Sequence, residues 1–196
     1  MKRYLKINVY EAFLRRMSVI TENFDNIIVA FSGGKDSGLL LHLVLLYLDQ
    51  HKINIPVSIF HIDYEAQYTA TTEFVDDVYS TLSGRIRPYR CCVPIKAGTC
   101  TSMSCSFWRP WDPEARELWV RELPKNCYTV EHFPFYRSDM WDYEFQEKFS
   151  PWHHEYHGAR RTGVLIGIRA QESLNRWRTI KRLRSEERRV GKECRS

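Results

Sequence analysis

No apolar run in this 196-residue sequence is long enough to cross a lipid bilayer, which takes about 20 consecutive apolar residues. The N-terminus, Met1 to Lys6, is basic, but no apolar core of a signal peptide follows it. Six cysteines are present, and none of their spacings is the Cys-x-x-Cys of common zinc and redox sites. These absences argue against a membrane-spanning, secreted or disulfide-built protein, and we expect a cytoplasmic chain with reduced thiols.

A basic surface across the whole chain is also missing, although the net charge is +5. Between Arg176 and Ser196 there are nine Lys or Arg residues against three Glu residues, a balance of +6. The rest of the chain therefore carries a balance of −1. Nucleic-acid binding by the whole domain is not supported, because that activity depends on a basic face.

Two clusters of metal-binding residue types lack the spacing of a known metal site. Cys91 or Cys92 could form an iron–sulfur or zinc site with Cys100, Cys105 and Cys127, but the spacings favour ordinary core and surface thiols. We therefore expect no iron–sulfur cluster. His154-Glu155-Tyr156-His157 is one residue too short for the zincin pattern, so with His153 it is interpreted as a surface histidine run instead of a site. Pro151 and Gly158 predict a helix of less than two turns there.

The stretch that organises the chain is a strand, a glycine turn and a helix start in immediate succession. Ile27 to Phe31 is a continuous apolar run, typical of a buried parallel strand, and a largely apolar helix begins after it. The turn between them is Ser32-Gly33-Gly34-Lys35-Asp36-Ser37-Gly38. Paired glycines let the backbone approach a ligand, and the unpaired N–H groups at the helix start point at it.

The ligand that this turn predicts is a nucleotide phosphate. Ser32 and Ser37 add hydroxyl donors, Lys35 adds a positive charge, and Asp36 could hold a Mg²⁺ that bridges phosphate oxygens. The turn does not fit a Walker A loop, because Val29 stands where that loop needs glycine and Asp36 where it needs Ser or Thr. The dinucleotide fingerprint fails as well, because its glycines have a different spacing. A ligand-free turn between strand and helix is the other interpretation.

The remaining chain predicts an open α/β sheet. An amphipathic helix over 8–24 has Asn8 as N-cap and Glu11 three residues later. Further predicted elements are a helix to about 50, a strand over 55–62, a helix over 71–82, an edge strand within 85–94 and a strand over 163–169. We therefore predict a single α/β domain with a parallel sheet of four to five strands and helices on both faces.

Polar residues follow two of these strands. Asp63 and Glu65 come after the second strand, where ligands of open α/β sheets bind. Asp63 would hydrogen-bond the nucleotide or orient a metal, and an ordinary polar strand end is the alternative. Arg169 ends the 163–169 strand and Arg176 follows it, so both are predicted to bind phosphate or sulfate oxygens.

The segment over 96–160 is rich in aromatic residues. Trp141, Phe145 and Phe149 are four residues apart and predict one face of a helix. A buried stripe is the favoured interpretation, and a platform for stacking bases is the alternative.

The turn resembles the PP-loop, Ser-Gly-Gly-x-Asp-Ser, of ATP pyrophosphatases and phosphoadenosine phosphosulfate (PAPS) reductases, with all six positions matching. The family has a second signature, and five residues of this chain resemble it: Gly167, Arg169, Glu172, Ser173 and Arg176. The stretches 111–113, 119–121 and 140–143 are similar to a narrower branch, the immunoglobulin-binding regulator A type, whose members work beside a ParB-like partner.

The resemblance implies an adenine nucleotide alpha hydrolase-like, Rossmann-like fold and a bound adenine nucleotide, ATP or PAPS. With ATP and Mg²⁺, a substrate oxygen would attack the α-phosphorus and release pyrophosphate; with PAPS, a thiolate would attack the sulfur. Lys35 and Asp36 are the implied catalytic residues. A nucleotide-sensing regulator that turns nothing over is the alternative.

The end of the sequence sets the predicted domain limits. Residues 184–196 have no apolar periodicity and resemble a foreign read-through tail, so the domain is predicted to span 1–183 and to be incomplete. Glu193-Cys194 resembles the start of the Glu-Cys-Gly-x-His motif of the reductases, but Arg195 replaces the glycine, and Cys194 is not interpreted as a nucleophile.

Overall fold

The computed structural model describes residues 6–99 and 104–168. The strands in these ranges are Asn26–Ala30 (β1), Val57–Ile62 (β2), Arg87–Cys91 (β3), Ala97–Gly98 (β4), Phe107–Trp108 (β5) and Thr162–Ile166 (β6). The α helices are Val9–Asn23 (α1), Lys35–Gln50 (α2), Thr69–Thr81 (α3) and Asp142–Tyr156 (α4). Four strands form a parallel sheet in the order β3-β2-β1-β6. The predicted α/β fold with a parallel sheet is confirmed.

The order of the strands places β1 between β2 and β6. Ile27 of β1 pairs with Val57 on one side and with Gly163 on the other. β3 lies at the edge of the sheet, as the prolines of 85–94 predict, since proline has no backbone N–H to donate to a neighbouring strand. Because all four strands run in the same direction, their last residues lie along one edge of the sheet, which we call the carboxyl edge.

Helices α1 and α2 cover one face of the sheet. Ile27, Val29 and Ile59 project to this face and pack with Met17 of α1 and Val44 of α2 in one buried cluster. The predicted cap of α1 is present: Asn8 Oδ1 accepts from the Glu11 N–H at 2.8 Å, and Glu11 Oε2 accepts from the Asn8 N–H at 3.3 Å. None of the helices in the described ranges is both long and apolar enough to span a membrane.

Helix α4 covers the opposite face with aromatic side chains. Phe145 and Phe149 are buried, and Phe149 stacks on Phe60 of β2 with the ring centroids 4.0 Å apart. Phe133, from the loop before α4, meets Phe145 edge to face at 5.0 Å. The predicted buried stripe is therefore confirmed for Phe145 and Phe149. Trp141 precedes the helix as its N-cap and is half-buried.

The predicted short helix around the histidines is wrong. Helix α4 continues through Pro151 to Tyr156, because its packing on the sheet outweighs the loss of one backbone hydrogen bond at proline. The predicted surface histidine run is wrong for His153, which is fully buried. Its Nδ1 accepts from the Asn26 amide at 3.3 Å, and its Nε2 lies 2.8 Å from Ser58 Oγ, so the ring ties α4 to the starts of β1 and β2.

The described residues between β3 and α4 are mostly irregular. β4 and β5 form a small antiparallel pair, with Ala97 opposite Trp108 and Gly98 opposite Phe107. Short 3₁₀ helices follow at Pro113–Leu118 and Val130–His132. The described residues of this segment therefore have little regular structure.

The chain divides into two units, Met1–Ile166 and Gly167–Ser196. The sheet and all the helices described above belong to the first unit. Of the second, Gly167 and Ile168 are described, and they have no regular secondary structure. The predicted boundary between 183 and 184 and the predicted tail lie outside the described residues.

We expect the stability of the fold to depend on pH through His153. Burial lowers the pKa of His153 to about 4, below the value of about 6.5 in an unfolded chain. The unfolded chain then binds more protons between these values, so the stability is fully present above pH 6.5 and falls as the pH drops toward 4, by about 3 kcal/mol at most.

Urea unfolding between pH 4 and 7 measures this effect. His153→Gln should flatten the slope of unfolding free energy against pH, and His42→Gln, at an exposed position of α2, should keep it. Equal slopes in the wild type and His153→Gln would contradict the assignment. Burial also lowers the pKa of His61 and of His157, so part of the slope should persist in the variant.

Candidate functional site

The glycine loop, residues 31–38, connects the carboxyl end of β1 to the start of α2. Gly34 is the N-cap of α2 in extended conformation, and Lys35 is its first residue. The first N–H groups of a helix have no carbonyl partner within that helix, and the positive end of its dipole lies there. Ser32, Gly34 and Lys35 are exposed, so the start of a 16-residue helix faces solvent at the carboxyl edge.

Hydroxyl groups within the loop fix its shape. Ser37 is buried, and its Oγ donates to the Gly34 carbonyl at 2.9 Å and accepts from the Ser32 N–H at 3.2 Å. The two hydroxyl oxygens of Ser32 and Ser37 lie 3.0 Å apart. Ser37 therefore holds the bend, and the exposed Ser32 is the better placed of the two to meet a ligand.

Gly33 is the position in the loop that requires glycine. Its φ is +75°, a left-handed conformation that other residues rarely adopt. A Cβ at this position would lie 2.7 Å from Thr71 Cγ2 and 3.0 Å from Val75 Cγ2, both in α3. Both the backbone and the contact with α3 therefore exclude a side chain at Gly33.

Asp36 is the acidic residue in the first turn of α2 and is half-buried. Magnesium is commonly bound by one or two carboxylates together with substrate phosphates, so Asp36 fits a metal that arrives with a nucleotide. Within 6–99 and 104–168, no group of three or more His, Cys, Asp or Glu side chains is placed to hold a metal ion. The assignment of magnesium to Asp36 stays a prediction.

Asp63, the predicted ligand residue after β2, is fully buried and bound to two arginines. Its Oδ2 accepts from Arg90 Nε at 2.8 Å, and its Oδ1 accepts from Arg121 Nη2 and from the Glu65 N–H at 2.9 Å. Arg90 also pairs with Asp76 of α3. In this arrangement Asp63 joins β2, β3, α3 and the later loop, and its direct contact with a nucleotide stays a prediction.

Glu65 holds a loop against the end of β2. Its carboxylate is buried and accepts from the Trp111 N–H at 2.7 Å and from the Val120 N–H at 3.0 Å, so one side chain ties both ends of the segment 111–120. Its backbone carbonyl accepts from Arg121 Nε at 2.9 Å. Glu65 and Trp111 both have left-handed φ, of +62° and +56°, which marks a tightly constrained junction.

The sequence placed Glu65 at the ligand edge without a role, and it did not assign Arg90, Trp111 or Arg121 to the site. Arg121 also lies over the Trp111 ring, with its guanidinium carbon 4.8 Å from the ring centroid. Trp111 and Arg121 did have a signal in the sequence: they lie in the stretches 111–113 and 119–121, which resemble the immunoglobulin-binding regulator A branch. Arg90 had no comparable signal, since it occurs among several arginines in the predicted edge strand.

Arg169 and Arg176, the predicted anion-binding arginines, lie outside the described residues. The strand that precedes them is in place: Ile166, the last residue of β6, pairs with Ala30, the last residue of β1. β6 therefore ends at the carboxyl edge beside the glycine loop. The binding role of both arginines stays a prediction.

Cys91 and Cys92 are buried, and Cys127 is half-buried. Burial raises the pKa of all three, which favours the thiol over the reactive thiolate. Cys105 is exposed, and Cys100 and Cys194 lie outside the described residues. The expected absence of an iron–sulfur cluster stays a prediction.

Comparison with known proteins identifies a domain that contains the glycine loop. Residues 26–109 match the phosphoadenosine phosphosulfate reductase domain. Over 184 residues the chain is 31% identical to the uncharacterized protein YbdN of Escherichia coli (strain K12), an alignment that covers 93% of this chain and 44% of YbdN. The chain spans less than half the length of this relative.

These matches confirm the predicted resemblance at the level of the PAPS reductase domain, and the PP-loop interpretation of residues 32–37 fits them. The resemblance to the immunoglobulin-binding regulator A branch stays a prediction.

Gly33→Ala should destabilise the fold by about 2–4 kcal/mol, because it adds both backbone strain and a clash with α3. Gly84→Ala is the matched control: Gly84 has a φ of +82°, but a Cβ there would meet no atom within 4 Å, so that change should cost about 1 kcal/mol. Urea unfolding of the two variants measures the difference. Equal losses would show that α3 does not constrain the loop.

Proposed function

We propose that the PAPS reductase domain of this chain binds an adenine nucleotide, ATP or PAPS, with its phosphates at the glycine loop. The observation that carries the proposal is the exposed start of α2, where Gly34 and Lys35 face solvent behind a buried strand. Backbone N–H groups, the helix dipole and the Lys35 ammonium group all favour a negative charge at this point. Ser32 adds an exposed hydroxyl.

The topology of the sheet supports the same location. From β1 the chain passes through α2 to β2 on one side, whereas β6 lies on the other side of β1. Open α/β sheets bind ligands in the crevice where the strand order reverses, outside the carboxyl ends of the strands. That crevice lies between the ends of β1 and β6, directly after Ala30 and Ile166.

ATP suits the described residues best as a reacting nucleotide. Lys35 and the loop N–H groups would hold the β- and γ-phosphates, and a substrate oxygen would attack the α-phosphorus. The bond between the α-phosphorus and the bridging oxygen would break, and pyrophosphate would leave with its electron pair. Magnesium, held by the phosphates and Asp36, would neutralise charge, so that catalysis would consist of positioning and electrostatic stabilisation.

Sulfonucleotide reduction places a further demand on the chain. A thiolate must attack the sulfur of PAPS, and the buried cysteines have raised pKa values. Binding of PAPS at the glycine loop needs no thiolate, so PAPS remains a candidate ligand. We therefore favour nucleotidyl transfer from ATP over reduction of PAPS by this chain alone.

A nucleotide-sensing role beside a ParB-like partner is the alternative that the branch resemblance implies, and it stays a prediction, as does the cytoplasmic location. Release of pyrophosphate on incubation with ATP and Mg²⁺ would favour the enzyme. Tight nucleotide binding without release would favour the sensor.

Lys35→Ala should weaken the binding of ATP, PAPS or adenosine phosphosulfate by about tenfold or more, because a charged hydrogen bond to phosphate is lost. Calorimetric titration with each of the three nucleotides measures this change.

Lys52→Ala is the matched control, because Lys52 lies just beyond the far end of α2 and is exposed. It should leave the affinity unchanged. Equal affinities for the wild type and Lys35→Ala would contradict the proposed site.

A further inference from the structure

Three aromatic side chains form a surface beside the start of α4, which we call the ring surface: Phe107 and Tyr143, which are exposed, and Trp141, which is half-buried. Phe107 meets Trp141 nearly edge to face, with centroids 5.7 Å apart at 69°. Trp141 and Tyr143 are close to parallel, at 6.2 Å and 19°. Tyr143 is 57% exposed and Phe107 37% exposed, so neither ring is part of the buried core.

The backbone holds this surface in place from two directions. Phe107 is in β5, which pairs with β4. The residue before β4, Lys96, donates its N–H to the Met140 carbonyl at 2.9 Å and accepts from the Asp142 N–H at 3.0 Å. The strand pair and the start of α4 are therefore bonded to each other, and the rings are organised before any ligand arrives.

The ring surface lies at the carboxyl edge, the edge that also contains the glycine loop. Tyr64, two residues after the end of β2, donates its hydroxyl to Asp142 Oδ2 at 3.0 Å. The opposite end of α4 lies at the amino ends of the strands, where His153 contacts Asn26. Trp141 and Tyr143, at the start of α4, therefore lie at the carboxyl edge of the sheet.

The charges around the rings decide which ligand fits. Lys96 Nζ lies 5.3 Å from the Phe107 ring centroid, and in the described part of the chain it has no carboxylate partner. Arg137 pairs with Asp139 and Glu144. With Asp142, the next residue after Trp141, these give three acidic side chains against two basic ones, Lys96 and Arg137. A nucleic-acid strand needs a basic path for its phosphates and is disfavoured here.

We propose that the ring surface binds the planar heteroaromatic ring of a small substrate, a nucleobase or a ring of similar size. Stacking on Tyr143 and Trp141 would supply the affinity, and Lys96 would meet a ring carbonyl or ring nitrogen. The proposal rests on the proposed function in that the ring would belong to the acceptor in the nucleotide reaction. The binding itself can be measured without that reaction.

Titration with adenosine, guanosine, cytidine and uridine tests the proposal, with the indole N–H resonance of Trp141 as the readout. At least one nucleoside should shift this resonance, and Tyr143→Ala should weaken its binding by about tenfold. Phe107→Leu should also weaken it, which guards against misfolding of one variant. If none of the four nucleosides shifts the Trp141 resonance, the proposal is overturned.

Tyr156→Ala is the matched control, since Tyr156 is 68% exposed and stacks on Trp152 at the other end of α4. It should bind nucleoside like the wild type, and a loss equal to that of Tyr143→Ala overturns the proposal. A single-stranded oligonucleotide of about ten nucleotides should bind no more tightly than the nucleoside; tighter, salt-sensitive binding would identify a nucleic-acid surface instead.

Lys35→Ala separates this proposal from the proposed function. The variant should bind nucleoside at the ring surface as the wild type does, because a nucleoside has no phosphate for Lys35 to hold, and a loss of nucleoside binding would overturn the proposal. Unchanged ATP affinity in the same variant would refute the proposed function and leave the ring surface in place.

Discussion

The close contact between Gly33 and α3 is the constraint on which the arrangement of the carboxyl edge depends. With left-handed backbone and no side chain, Gly33 lets the loop lie against Thr71 and Val75, and α2 can then begin directly behind β1. Ser37 fixes the same bend from inside by bonding the Gly34 carbonyl. The result is a helix start that is rigid and exposed at once, and such a start binds anions without reorganising.

The second constraint is electrostatic and comes from the residues after β2. Asp63 binds Arg90 and Arg121 without exposure to water, and Glu65 fastens the loop 111–120 through two backbone N–H groups. Removing one partner of a buried ion pair leaves the other charge uncompensated, which costs about 3–5 kcal/mol. These carboxylates therefore hold the end of β2 and the loop 111–120 in place, whereas Ser32, Gly34 and Lys35 of the glycine loop are exposed to solvent.

Local patterns in the sequence predicted most of the sheet. Continuous apolar runs identified β1 and β2, and the prolines in the 85–94 stretch marked β3 as an edge strand, because these signals depend on the residues themselves. The ion pairs of Asp63 were not predictable, since Arg121 is 58 residues away in sequence and only tertiary packing brings the two together. The passage of α4 through Pro151 was missed for the same reason: burial of Phe145 and Phe149 overrides a local signal.

The proposed function requires the backbone N–H groups at the start of α2 to bind a nucleotide polyphosphate. Amide NMR spectra recorded during titration with ATP and Mg²⁺ test it most directly, because each N–H of the loop reports its own hydrogen bonding. We expect the largest shifts at residues 33–37, with smaller ones along β1 and β6. If the amide resonances of residues 33–37 do not shift and the shifts cluster elsewhere in the chain, the nucleotide does not bind at the start of α2.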